Sequence, residues 1–144
     1  MTPANENLPK NIVMLQDLSG IVTYLRKLKT VLTWCFPEAR VIVPKEPNTI
    51  STSIDQQAAN VFAQLQHHEQ LSLEDPLVLV GHSQGGLRGH ALLRNFGDRL
   101  DIRGLVTMST PWEGAPIITC SPEDLQHFLK LLRKSRLPNI IRAA

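Results

Sequence analysis

The stretch LVLVGHSQGG (residues 77–86) carries the strongest structural signal in this sequence. It places four apolar, β-favouring residues before a cluster of small residues with Ser83 at its centre. A short apolar run bounded by glycine is typical of a buried strand. The spacing Gly81-x-Ser83-x-Gly85 then suits a sharp turn from the strand into a helix, because glycine removes the side chains that would clash there.

Before and after this stretch, apolar runs typical of strands alternate with segments whose apolar residues have helical spacing. We predict strands over residues 11–15, 40–43, 77–80 and 102–108. We predict helices over 21–36, from Ser53, from the residue after Ser83 to Gly97, and from Ser121. Such alternation predicts right-handed crossovers and a parallel sheet with helices on both of its faces.

Two local signals strengthen this interpretation. Ser53-x-x-Gln56 is a capping-box pattern, which marks the start of a helix. Leu25, Leu28 and Leu32 recur at helical spacing and give the first helix one apolar face. Because the predicted strands are almost continuously apolar, both faces of the sheet should be covered. The predicted fold class is therefore α/β, a three-layer αβα sandwich with a mainly parallel sheet.

The composition is that of an ordinary globular protein of 144 residues, with 42% hydrophobic and 19% charged residues. We predict a single domain over residues 1–144, with a flexible N-terminus at 1–10 and a helical C-terminal segment at 119–144. The net charge of +2 is too small to indicate a nucleic-acid partner, and the sequence carries no motif for stacking bases.

Targeting and cysteine signals favour an ordinary cytoplasmic protein. The polar N-terminus lacks the apolar run of a signal peptide, and no run of roughly 18 apolar residues predicts a membrane span. Cys35 and Cys120 lie far apart in no metal-like spacing, so we predict buried thiols. No metal or organic cofactor is implied.

Ser83 lies where sites occur in open parallel sheets, beyond the carboxyl end of a strand. A serine there can act as a nucleophile, and the backbone N–H of Gln84 would point at the oxyanion that forms on an attacked carbonyl. The alternative is a glycine-rich turn with an incidental serine. A phosphate-binding loop is disfavoured, because neither Gly-x-Gly-x-x-Gly nor a Walker lysine is present.

At these residues the sequence resembles the α/β-hydrolase family, specifically its lipase and thioesterase-like branch. GHSQGG (81–86) resembles the family's nucleophile elbow. VTMSTPWEGAP (106–116) is similar to the segment after the next strand, and NIVMLQDLSG (11–20) lies where the family has a strand followed by His-Gly. The resemblance covers about residues 10–118.

The resemblance implies roles for residues near the serine. Ser83 would be the nucleophile, Gln84 N–H one oxyanion donor and Leu18 N–H the second donor. The sequence departs from the family at Gln16 and Asp17, which replace His-Gly. An Asp17 carboxylate close to the oxyanion would oppose it, unless the side chain turns away.

A serine nucleophile needs a general base, which a third group usually orients. In this fold the acid and then the histidine follow the serine along the chain. Glu113, in the loop after the last strand, and His127, in the last helix, are the candidates for acid and base. The alternative makes Glu113 an ordinary loop carboxylate and His127 a residue of the helix surface.

In the family, the catalytic acid and histidine normally lie further along the chain than the residues available here. We therefore expect this chain to be C-terminally truncated relative to the full domain. A partner, a second copy or the missing C-terminal half could then cover an exposed apolar sheet edge. The predicted function is hydrolysis of carboxylic esters or thioesters with an apolar acyl group, through an acyl-enzyme on Ser83. The alternative is an inactive hydrolase remnant or a protein-interaction module.

Overall fold

Strands and helices alternate regularly between residues 11 and 108 of the computed structural model. The elements are β1 (Asn11–Leu15), α1 (Val22–Cys35), β2 (Arg40–Ile42), α2 (Ile54–Gln66), β3 (Leu77–His82), α3 (Gln84–Phe96) and β4 (Ile102–Met108). The structure describes residues 8–16, 22–45 and 52–114, and positions 121, 123, 124, 126, 127 and 130. The chain divides into two compact units, Met1–Trp112 and Glu113–Ala144.

The strands form one parallel sheet in the order β2-β1-β3-β4. In its register Val13 of β1 lies between Ile42 of β2 and Leu79 of β3. After β1 the chain forms β2 on one side of β1, and it later forms β3 on the other side. The boundary between β1 and β3 is therefore a topological switch point. Open sheets bind ligands at the carboxyl ends of the strands that flank such a point.

Both faces of the sheet are covered, because its central strands carry apolar residues on alternate sides. Val13, Leu15, Leu77 and Leu79 pack with α2 and α3 in one buried cluster. On the opposite face, Ile12, Met14 and Val80 pack with Leu25 of α1. Helix–sheet–helix layers result, and the predicted α/β fold with a parallel sheet is confirmed.

The capping box predicted at the start of α2 is present. Ser53 Oγ accepts a hydrogen bond from Gln56 N at 3.2 Å, and Gln56 Oε1 accepts one from Ser53 N at 2.9 Å. Both bonds satisfy N–H groups that the helix itself leaves without partners.

Ser53→Ala should therefore lower the free energy of unfolding by about 1 kcal/mol, the usual cost of losing an N-cap side chain. Urea denaturation followed by circular dichroism measures this change. Thr33→Ala on the exposed face of α1 is the control, since it should stay within about 0.5 kcal/mol of the parent protein. Equal stabilities of the two variants would contradict a role for the cap.

In the second unit, the described positions agree with the helix predicted from Ser121. Ser121 Oγ accepts a hydrogen bond from Asp124 N at 3.1 Å, as an N-cap does. The helical positions are Glu123, Asp124, Gln126, His127 and Lys130. The remainder of the segment 119–144 lies outside the described residues, as do residues 1–7, so the single domain over 1–144 stays a prediction.

One sequence prediction is wrong. Cys35 is exposed rather than buried, because it ends α1 away from the inward stripe of Leu25, Leu28 and Leu32. Cys120 lies outside the described residues. Among the helices of the described ranges, none combines the length and the apolar character needed to cross a bilayer.

Candidate active site

Ser83 occupies the single-residue turn between β3, which ends at His82, and α3, which begins at Gln84. Its backbone has φ 53° and ψ −124°, a left-handed conformation that side-chain-bearing residues rarely adopt. Two backbone hydrogen bonds hold it there: Ser83 N donates to Met108 O at 2.8 Å, and Gly86 N donates to Ser83 O at 3.0 Å. Strain of this kind persists only where the surroundings enforce it, and it concentrates at functional sites.

The glycine before the serine allows the chain to reverse. A Cβ on Gly81 would stand 2.6 Å from both the nitrogen and the Cα of Gly86, closer than real Cβ atoms come to other atoms. The end of β3 and the first turn of α3 are therefore in direct backbone contact. The spacing Gly81-x-Ser83-x-Gly85 is a steric requirement of this turn.

The glycines after the serine bring α3 against its neighbours on both sides. A Cβ on Gly85 would collide with Leu15 O at the end of β1 and stand 2.6 Å from Gln16 O. A Cβ on Gly86 would collide with the side chain of Thr110, in the loop after β4. The first turn of α3 is thus packed between the carboxyl ends of β1 and β4, and Ser83 directly precedes it.

The loop after β4 is also held in a defined conformation. Ser109 has a left-handed φ of 51°, and Trp112 N donates a hydrogen bond to Thr110 O at 3.0 Å. The Trp112 ring meets the His90 ring edge-on, with centroids 5.7 Å apart, and remains 53% exposed. An exposed aromatic ring therefore lies beside α3, on the same end of the sheet as Ser83.

Sequence reasoning missed one residue of this region. Arg88, in α3, is completely buried, and its guanidinium donates a hydrogen bond to Gln16 O. The position of Arg88 in the sequence could have revealed its burial. Arg88 follows Gly85 by three residues, so both lie on the face of α3 that meets the sheet.

The other predicted site residues are not brought to Ser83 by described contacts. Leu18 lies outside the described residues. Glu113 and His127 are exposed and belong to the second unit. In the ranges that the structure covers, no three His, Cys, Asp or Glu side chains are grouped so as to hold a metal ion.

Solved structures establish the class of fold. The RedJ thioesterase from the prodiginine biosynthetic pathway of Streptomyces coelicolor is similar over 98% of this chain and 61% of its own, with 18% identity and a TM-score of 0.63. An extracellular α/β-hydrolase from a Paenibacillus species, which shares homology with tobacco salicylic acid binding protein 2, is similar over 85% of this chain and 51% of its own. Its identity is 19% and its TM-score 0.56. The fold is that of the α/β-hydrolases.

The family follows from the sequence. Residues 25–140 match the palmitoyl protein thioesterase family. This chain therefore belongs to the palmitoyl protein thioesterases, within the α/β-hydrolase fold. No curated protein matches it. The chain spans 51% and 61% of the lengths of the two solved hydrolases.

Proposed function

We propose that this chain is a serine hydrolase that cleaves acyl thioesters or carboxylic esters through an acyl-enzyme on Ser83. The observation that carries the proposal is the left-handed backbone of Ser83 at the tip of a strand-to-helix turn, in a chain of a thioesterase family. The glycines at 81, 85 and 86 support it, since a Cβ on any of them would collide with neighbouring atoms and displace the tight turn that holds Ser83.

In the proposed reaction, Ser83 Oγ attacks the carbonyl carbon and loses its proton to a base. The tetrahedral intermediate then collapses, the carbon–sulfur or carbon–oxygen bond to the leaving group breaks, and the base returns the proton to the departing thiol or alcohol. Water repeats these steps on the acyl-enzyme, releasing the carboxylic acid and free Ser83. The sum is hydrolysis, with no other reactant.

Gln84 would stabilise the oxyanion of both intermediates. Its N–H lies in the first turn of α3, where backbone N–H groups have no partner within the helix and the helix dipole is positive. One such donor contributes roughly 10²- to 10³-fold in rate. Leu18 N–H, in the loop after β1, is proposed as the second donor.

Glu113 and His127 are proposed as the acid and the base. They follow Ser83 in the order acid, then histidine, that the α/β-hydrolases use. Both side chains are exposed, so each is accessible for proton transfer. The family supports the proposed substrate class, a thioester with an apolar acyl group.

The test is covalent labelling of the folded chain with a fluorophosphonate probe, read by intact-protein mass spectrometry, together with hydrolysis of p-nitrophenyl esters and a palmitoyl thioester. We expect one probe per chain and loss of labelling in Ser83→Ala, because the probe reacts only with an activated hydroxyl.

Ser109→Ala is the matched control for this test. Ser109 also has a positive φ and follows a strand at the same edge of the sheet, but it does not begin a helix. It should keep full labelling. Labelling that persists in Ser83→Ala would contradict the assignment, and a folded parent chain that is never labelled would favour the interaction-module alternative.

A further inference from the structure

The strand β2 lies at one edge of the sheet, with β1 as its neighbour on the inner side. Arg40 N donates a hydrogen bond to Lys10 O at 2.8 Å, so Arg40 and then Ile42 direct their backbone groups toward β1. Backbone groups alternate in direction along a strand, and those of Val41 and Val43 therefore point outward. Within the described ranges no residue pairs with these outward groups. An edge of this kind is a template for a further strand.

The residue that follows shows what this edge accepts. Lys45 lies two positions beyond Val43, so its backbone groups point outward as well. Lys45 N donates a hydrogen bond to Gln64 Oε1 at 2.8 Å, and Gln64 Nε2 donates one to Lys45 O at 2.5 Å. The side-chain amide of Gln64 thus makes one accepted and one donated hydrogen bond, as an adjacent strand would. A peptide could make the same bonds at Val41 and Val43.

A groove of about 730 Å³ follows the outer edge of β2. This volume is within the range of ordinary ligand sites. The groove is lined by residues 40–45, by Lys29 of α1, and by the end of α2 with residues 67–70 after it. A segment bound to the edge would therefore contact side chains from two helices as well as the backbone of β2.

The lining of this groove is basic. It carries three permanent cations, Lys29, Arg40 and Lys45, and a single carboxylate, Glu69. The hydrogen bonds of the Arg40 guanidinium go to amide oxygens, which do not neutralise its charge. None of the ion pairs in the described ranges includes these three cations. The groove therefore favours an occupant with negative charge.

A second copy of this chain is a poor occupant. Pairing β2 with β2 of another copy would bring two basic grooves together, and like charges repel. A lysine at a sheet edge, such as Lys45, is a common device against pairing of identical edges. An acidic strand meets no such repulsion, so the same charges that exclude a second copy select for it.

We infer that the groove along β2 binds an extended, acidic segment of a partner protein by strand addition. The backbone of the segment bonds to Val41 and Val43, and its carboxylates pair with the cations of the groove. The inference does not depend on the proposed hydrolase activity, because the turn that carries Ser83 contributes no residue to the groove.

The test is the binding of a fluorescein-labelled peptide, ETVETVE with both ends blocked, measured by fluorescence anisotropy. We expect saturable binding below about 1 mM peptide that weakens as salt is added, because salt screens the attraction. The peptide KTVKTVK is the charge control and should not bind. Strand pairing uses only alternate N–H groups, so N-methylation of one alternate set of residues should abolish binding, and methylation of the other set should not.

Variants of the groove test the protein side. Lys45→Glu should weaken binding at least about tenfold, because it replaces an attraction by a repulsion. Lys27→Glu is its control, since Lys27 is exposed on α1 outside the groove, and it should change binding less than about twofold. Val43→Pro removes one outward N–H and should abolish binding, whereas Val43→Ala keeps that N–H and should still bind.

Two results would overturn the inference. Equal binding of both methylated peptides would mean that charge alone attracts them, without strand addition. A dimer in sedimentation velocity that Val43→Pro abolishes would assign the edge to a second copy. Should Val43→Pro not fold, the methylated peptides decide.

Fluorophosphonate labelling separates this inference from the proposed function. Ser83→Ala should bind ETVETVE as tightly as the parent chain does. If the parent chain is labelled but never binds the peptide, the inference is wrong while the proposed function stands. Peptide binding by a chain that is never labelled would support the groove and contradict the hydrolase.

Discussion

Gly85→Ala should lower the free energy of unfolding by about 3 kcal/mol or more, a large part of the total stability of a domain of this size. The added Cβ would collide with Leu15 O and stand 2.6 Å from Gln16 O. Leu15 belongs to β1, which pairs on both sides with β2 and β3, so it cannot move without breaking the sheet. The helix cannot withdraw either, because Gly86 is packed against Thr110 on the other side.

Gly104→Ala is the matched control for this steric argument. A Cβ on Gly104 would be 3.9 Å from a methyl group of Val78, which is an ordinary contact distance. Its effect should stay within about 0.5 kcal/mol. Urea denaturation of both variants measures the difference. Similar stabilities would mean that the first turn of α3 is free to shift, and the enforced conformation of Ser83 would lose its main support.

The features of this fold that sequence predicts are those set by neighbouring residues. The capping box at Ser53, the helical stripe of α1 and the strand before Ser83 follow from patterns within about one helical turn, and the structure shows each of them. The strand was expected to end at Val80 but continues to His82, because Gly81 and His82 pair with β4. The small residues after Val80 indicated a turn, so the local sequence gave no sign of that pairing.

Features that depend on long-range contacts could not be predicted in this way. The sheet order β2-β1-β3-β4 results from which strands meet in space. The burial of Arg88 follows from the close approach of α3 to the end of β1, 72 residues away along the chain. A charged residue in an otherwise ordinary helix carries no local sign of this, which is why sequence analysis passed over it.

His127→Gln should slow acylation of Ser83 by roughly 10²- to 10⁴-fold if His127 is the general base, as proposed. Only two histidines, His90 and His127, follow Ser83 in the sequence. His90→Gln is therefore the control: its ring meets Trp112 edge-on from the exposed side of α3, and its loss should change the rate less than about threefold. The rate of fluorophosphonate labelling at fixed pH measures both variants.

Chemical rescue distinguishes a base from a residue that only supports the fold. Added imidazole should accelerate labelling of His127→Ala, because it can take the proton of Ser83 from the space that the side chain leaves, and it should not affect Ser83→Ala. Glu113→Gln should show a smaller loss, since the acid orients the base rather than accepting the proton itself. If His127→Gln is acylated at the parent rate, the proton of Ser83 goes to another group and the proposed triad is wrong, although the role of Ser83 remains separately testable.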